Sequence, residues 1–157
     1  MKLTDILTED RVKIPLSHTN KEEIIEEMIG VIDDSVKLEN KPAILKAVLD
    51  REAVMSTGVG DEVAIPHGKS ESLKEIVAAL GVAKEPIEFN ALDNKPVRVV
   101  WLLVGPHDKT GPHLKALSRI SRLMHKKEFR DRLIHASAAK EAIDVILSEE
   151  EKFLQSV

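Results

Sequence analysis

Val97-Arg98-Val99-Val100-Trp101-Leu102-Leu103-Val104 is the stretch around which this chain is organised. Arg98 is its only polar residue, so the segment lacks the alternation of a strand with one wet face. A short, β-branched, nearly continuous apolar run is the pattern of a strand covered on both sides. Gly105-Pro106 ends it. Such a strand needs layers above and below, and the flanking sequence offers helices for both. Downstream, residues 112–125 carry Leu117, Ile120 and Met124 on one helical stripe. Residues 127–135 carry Phe129, Leu133 and Ile134. Residues 138–148 carry Ala139, Ala142, Ile143 and Ile146, with Ser137 as a candidate cap.

Upstream, residues 76–83 (IVAALGVA) read as a second strand, with a helix as the alternative. Val63 to Pro66 and Val12 to Pro15 read as brief strands, and residues 3–6 as a helical turn. Residues 20–36 read as a helix with Asn20 as its cap and Ile25, Met28, Ile29, Ile32 and Val36 on one face. Glu22 and Glu23 fall in its first turn, where the helix dipole favours anions. A second helix runs from Pro42 to about Val54, capped by Asn40, with Ile44, Leu45, Val48 and Leu49 inward. Ser56-Thr57-Gly58-Val59-Gly60 breaks the chain after it. Helices flanking a group of strands predict an α/β layered domain with one core. The acidic runs Glu22–Glu27 and Glu149–Glu151 read as solvated helix faces.

Composition narrows the function. The 157 residues fit one domain, expected over residues 1–157. A net charge of −4 gives no basic footprint for nucleic acid. The chain has no cysteine, which excludes disulfides and thiol chemistry and suits a reducing, cytoplasmic setting. MKLTDILTED has acids where a signal peptide has its apolar core. No apolar run approaches the ~20 residues that span a bilayer, so no direct membrane insertion is expected.

Three residues stand out for chemistry. His67 follows Val63-Ala64-Ile65-Pro66 and precedes Gly68. Proline ends strand pairing and glycine lets a ligand or chain come close, so the imidazole is presented at a strand end. An ordinary turn histidine fits the local pattern equally well. His113 follows Thr110-Gly111-Pro112, a helix start, and shares a face with Leu117, Ile120 and Met124. A helix N-terminus suits phosphate, while a satisfied buried histidine is the blander reading. Arg51, near a helix C-terminus, fits the dipole or a bidentate phosphate clamp. Gly58-Val59-Gly60 lacks the Gly-Lys-Ser/Thr ending of a phosphate loop. His107 and His113 have no metal-pair spacing, and no metal or cofactor is expected. There is no Gly-x-Ser-x-Gly elbow.

The stretch from Glu52 through Gly68 resembles the signature of enzyme IIA domains of the fructose/mannitol class in the bacterial phosphoenolpyruvate-dependent phosphotransferase system. That class includes the nitrogen-regulatory IIA proteins. The residues that carry the resemblance are Glu52, Val59-Gly60 and Val63-Ala64-Ile65-Pro66-His67-Gly68. Arg51, Ser56-Thr57-Gly58, His113-Leu114, Leu117-Ser118 and Ile120 extend it. The resemblance implies a mixed β-sheet flanked by helices. It also implies a phosphotransferase working through phosphohistidine, with His67 as acceptor from the phosphocarrier HPr. His113 and Arg51 would stabilise the phosphate, with Ser56, Thr57 and Gly68 around it. The second nitrogen of His67 would need an acceptor to fix the tautomer, either a backbone carbonyl or a carboxylate. Partners would dock on a shallow, partly apolar surface. The onward partner would be an enzyme IIB, for a fructose- or mannitol-like sugar, or a regulatory target. Single-domain length leans toward the nitrogen-type regulator. A binding module without phosphoryl transfer is the alternative, and the intact His67, His113 and Arg51 speak against it.

Overall fold

The computed structural model describes residues 1–155; Ser156 and Val157, the end of the expected domain, lie outside them. The described residues form a mixed six-stranded sheet with five helices. The strands are β1 (Val12–Lys13), β2 (Gly58–Gly60), β3 (Val63–Ala64), β4 (His67–Lys69), β5 (Val77–Ile87) and β6 (Val97–Gly105). The helices are α1 (Lys21–Ser35), α2 (Lys41–Val54), α3 (Thr110–Met124), α4 (Lys127–Ile134) and α5 (Ala139–Gln155). Strand order is β1-β5-β6-β3-β2, and β4 also pairs with β6. β5 and β6 are antiparallel, whereas β3 and β4 run parallel to β6.

β6 explains its own composition. Val99, Trp101 and Leu103 enter a cluster with Ala116, Ile120, Leu123, Phe129, Leu133 and Ile146 from α3, α4 and α5. Val100, Leu102 and Val104 enter another with Ile25, Met28, Ile29, Ile44 and Val48 from α1 and α2. Successive side chains point to opposite faces, so a strand between two layers must be apolar at both phases. The expected single core is therefore divided by the sheet into two. Of residues 76–83, all but Ile76 belong to a strand, not a helix, and that strand runs on to Ile87.

Asn20 and Asn40 cap their helices as expected, accepting from the amides of Glu23 and Ala43. Val36 is exposed, beyond the end of α1, and Ile24 takes the buried place on that face. Two acidic runs depart from the solvated reading. Glu27 is tucked beneath residues 17–18 and accepts from the Ser17 and His18 amides. Glu149 and Glu150 are buried because α5 continues past Ser148. Glu150 accepts from the Leu3 amide at 2.7 Å and pairs with Arg119 at 3.5 Å, closing the N-terminal turn against α5. A buried carboxylate is tolerated where unpaired N–H groups and a cation meet it. Ser137 lies ahead of α5 and donates its amide and hydroxyl to Glu141. No helix among the described residues is long and apolar enough to cross a membrane.

Candidate functional site

Pro66 does not end the strand region. The chain re-enters the sheet at His67, which pairs with Leu103 while Lys69 pairs with Gly105. Proline lacks only the N–H, and its carbonyl still accepts from the Leu103 amide at 3.1 Å. His67 therefore opens a short strand, and its side chain is half-buried. Gly68 is required by what lies beneath it: a Cβ there would sit 3.0 Å from the Val48 backbone nitrogen and 3.2 Å from the Ala47 carbonyl carbon. That close approach seats α2 on β4. Arg51, one turn beyond Ala47, reaches the same cavity.

Register brings in the far side. β6 ends opposite Lys69, a short turn at His107–Lys109 follows, and α3 begins at Thr110. His113, in its first turn, thus arrives beside His67 across a long stretch of sequence. Their ring centroids are 6.1 Å apart at 64°. The cavity is lined by Ala47, Arg51, His67, Gly68, Lys69, His107, His113, Leu114 and Leu117. Four of the expected site residues, His67, His113, Arg51 and Gly68, are brought together. Ser56 and Thr57 are not among the lining residues. The Ser56 hydroxyl donates to the Phe89 carbonyl at 2.6 Å, and the Thr57 hydroxyl donates to Glu52. Lys69 and His107 also line the cavity, and no local motif marks either of them for phosphate. Lys69 falls two residues after His67 in one strand, a spacing that puts both side chains on the same face.

The His67 tautomer has a defined cause. Nδ1 lies 2.8 Å from the Ile65 carbonyl oxygen. A carbonyl can only accept, so Nδ1 carries the proton and Nε2 keeps the lone pair. Of the two acceptors anticipated, the backbone carbonyl is used. The His67 pKa is lowered, first by burial and further by Arg51 and Lys69, against the pull of the Ile65 carbonyl and Glu52. His113 is buried, and neither ring nitrogen has a hydrogen-bond partner within the protein. Burial, then Lys69 and, once it is protonated, His67, push its pKa down to about 4. Both rings are neutral near pH 7. Arg51 donates from Nη1 to the Met55 carbonyl at 2.8 Å. Arg51 thus bonds a carbonyl at the C-terminal end of α2 and also lines the cavity. Lys69 Nζ lies 3.0 Å from the Thr110 hydroxyl. Among the described residues no group of three or more His, Cys, Asp or Glu side chains is arranged to hold a metal ion.

The cavity thus gathers three imidazoles, a guanidinium and an ammonium around a ring nitrogen that keeps its lone pair, a set of groups suited in chemistry to a small anion. The chain is 36% identical over 146 residues to the PTS system fructose-specific EIIABC component of Bacillus subtilis, covering 93% of this chain and 23% of that protein. It is 32% identical over 148 residues to the nitrogen regulatory protein of Bradyrhizobium diazoefficiens, covering 94% and 95% of the two chains. The crystal structure of nitrogen regulatory protein IIA-Ntr from Neisseria meningitidis superposes with a TM-score of 0.85 at 29% identity, over 92% of this chain and 98% of that one. Residues 5–149 match the family described as "Phosphoenolpyruvate-dependent sugar phosphotransferase system, EIIA 2", and the chain belongs to that family.

Proposed function

We propose that His67 accepts a phosphoryl group on Nε2 from a phosphorylated carrier of the HPr type and hands it to a further protein. The observation that carries this reading is the Nδ1–Ile65 hydrogen bond, which leaves Nε2 as the nucleophilic nitrogen. The lone pair of Nε2 attacks phosphorus as the bond from phosphorus to the donor nitrogen breaks, and that electron pair returns to the donor ring. Phosphoryl transfer asks little covalent chemistry of a protein. Positioning and stabilisation of the equatorial oxygens do most of it. Arg51 supplies a fork for two of those oxygens, and Lys69 a point charge. Neutral His113 has an unpartnered ring N–H to donate to a third, which gives a buried polar group the partner it otherwise lacks. Exposed Leu114, with Leu117 and Ala47, gives the rim an apolar contact surface for transient docking.

Two onward routes have support. Likeness to a fructose-specific EIIABC component favours transfer to a IIB cysteine and on to a sugar. Likeness to a nitrogen regulatory protein along nearly all of its length favours a regulatory output. The gathering of His67, His113 and Arg51 in one cavity counts against a module that binds without transferring. The absence of cysteine and membership of a phosphoenolpyruvate-dependent system support a cytoplasmic setting.

Incubation with radiolabelled phospho-HPr tests the proposal. Label should appear as an alkali-stable, acid-labile phosphohistidine and vanish in His67→Ala; full labelling of that variant would sink the assignment. Labelled protein is then chased with fructose- and mannitol-type IIB domains. Rapid loss of label to a IIB cysteine identifies the transport route. Retention of label, together with phosphorylation-dependent binding to a regulatory target, identifies the other.

A further inference from the structure

Glu52 is buried, on the last turn of α2, and its side chain does not line the cavity. Its carboxylate accepts from the Thr57 amide at 2.7 Å and from the Thr57 hydroxyl, and pairs with Lys21 Nζ at 3.3 Å. Lys21 itself stands over the Phe89 ring, 5.3 Å from its centroid. Both polar donors of Thr57 are thus taken by one charge. Its carbonyl is also committed, accepting from the Ile65 amide at 3.0 Å. The Ile65 carbonyl is the group that holds the proton on His67 Nδ1.

We infer that Glu52 is a positioning residue for phosphoryl transfer at His67. It grips Thr57, Thr57 holds Ile65 in register, and Ile65 fixes the imidazole proton on Nδ1. The inference rests on His67 being the acceptor. Its physical basis is that hydrogen bonds to a buried carboxylate are short, strong and hard to replace. An Ile65 carbonyl free to shift by a fraction of an ångström would release the ring to rotate and to change tautomer. The same turn braces the clamp. Arg51 binds the Met55 carbonyl while its neighbour Glu52 binds Thr57, so residues 55–57 are held at two points by adjacent residues of α2. The negative charge of Glu52 also reaches His67, where it opposes Arg51 and Lys69.

The test uses Glu52→Gln and Thr57→Val in the full chain. Thr57→Val keeps the backbone and removes only the hydroxyl, so it carries the test if Glu52→Gln does not fold. The first readout is the His67 tautomer and titration midpoint, from long-range 15N–1H spectra of the unphosphorylated protein. The second is the labelling rate from phospho-HPr across pH. Both variants should show a mixed His67 tautomer, a shifted midpoint and labelling about tenfold slower, the scale set by one lost buried hydrogen bond to a charged group. Thr57→Ser, which restores the hydroxyl, should bring both readouts back toward wild type. Wild-type tautomer and midpoint in a folded Thr57→Val or Glu52→Gln protein would overturn the inference, even if labelling slowed, because Glu52 would then be structural only. Labelling of His67→Ala would instead refute the acceptor assignment and leave the tautomer readout unaffected, so the two failures are distinguishable.

Discussion

Replacing His113 by leucine should remove most of one pH-dependent loss of stability. The folded protein holds His113 at a pKa of about 4, against 6.5 for an ordinary histidine. Between those values the unfolded chain binds a proton that the folded chain refuses, so stability rises with pH. The contribution is complete above the unfolded value and is lost as pH falls toward the folded one. At about 1.4 kcal/mol per unit, lowering pH from 7 to 4.5 costs the wild type roughly 2 to 2.5 kcal/mol through this group alone. His113→Leu has no such titration, and leucine suits a buried site on the same helix face as Leu117. Urea unfolding of both proteins at the two pH values isolates the effect, because carboxylate contributions cancel in the comparison. Trp101 is the only tryptophan and is fully buried in the central strand, so its fluorescence follows the unfolding of the sheet. The wild-type midpoint should drop by about 1 M urea more than that of the variant, for slopes of roughly 2 kcal/mol/M. Equal drops would refute a neutral, buried His113. So would an imidazole proton resonance titrating near 6.5, and the hydrogen-bonding role given to His113 would fall with it.

Other outcomes follow from the same geometry. Arg51→Lys keeps the charge but loses the fork and the Met55 contact, so labelling from phospho-HPr should slow on the order of tenfold with the fold unchanged by circular dichroism. Gly68→Ala places a Cβ 3.0 Å from the Val48 nitrogen, where backbone cannot yield; it should destabilise by about 1–3 kcal/mol in urea and slow labelling as α2 lifts from β4. The His18 pKa is raised, chiefly by its hydrogen bond to Glu27, so its small contribution is present below about pH 6.5 and fades as pH climbs through the raised value. Glu27→Gln should lower the His18 midpoint in an NMR titration; an unchanged midpoint would show that the pair does not form in solution.

Much of the fold is legible in the sequence. Val97–Val104 announced a strand buried on both faces, because only a layer on each side removes the need for a polar phase. Asn20 and Asn40 announced helix starts because their short side chains satisfy amides that the helix leaves unpaired. The Glu52–Gly68 stretch named the family and pointed to His67. What these signals share is that they act locally, through periodicity, capping and a contiguous motif. The departures share an opposite character. Glu149 and Glu150 look solvated along α5, yet the N-terminal turn folded against that helix supplies Glu150 with amides no linear reading could find. Ser56 and Thr57 look like phosphate ligands until Phe89 and Glu52 take their hydroxyls.

The amino-acid sequence on its own determined the layered α/β class, the helix starts and the identity of the histidine to watch. Only the tertiary structure decided which nitrogen of His67 is free, that Lys69 and His107 share its cavity, and that His113 stands 6.1 Å away, ring to ring. The reason is register. The parallel pairing of Lys69 with Gly105 sets where β6 ends and therefore where α3 begins, and that distance is fixed by hydrogen bonds between segments far apart in the chain.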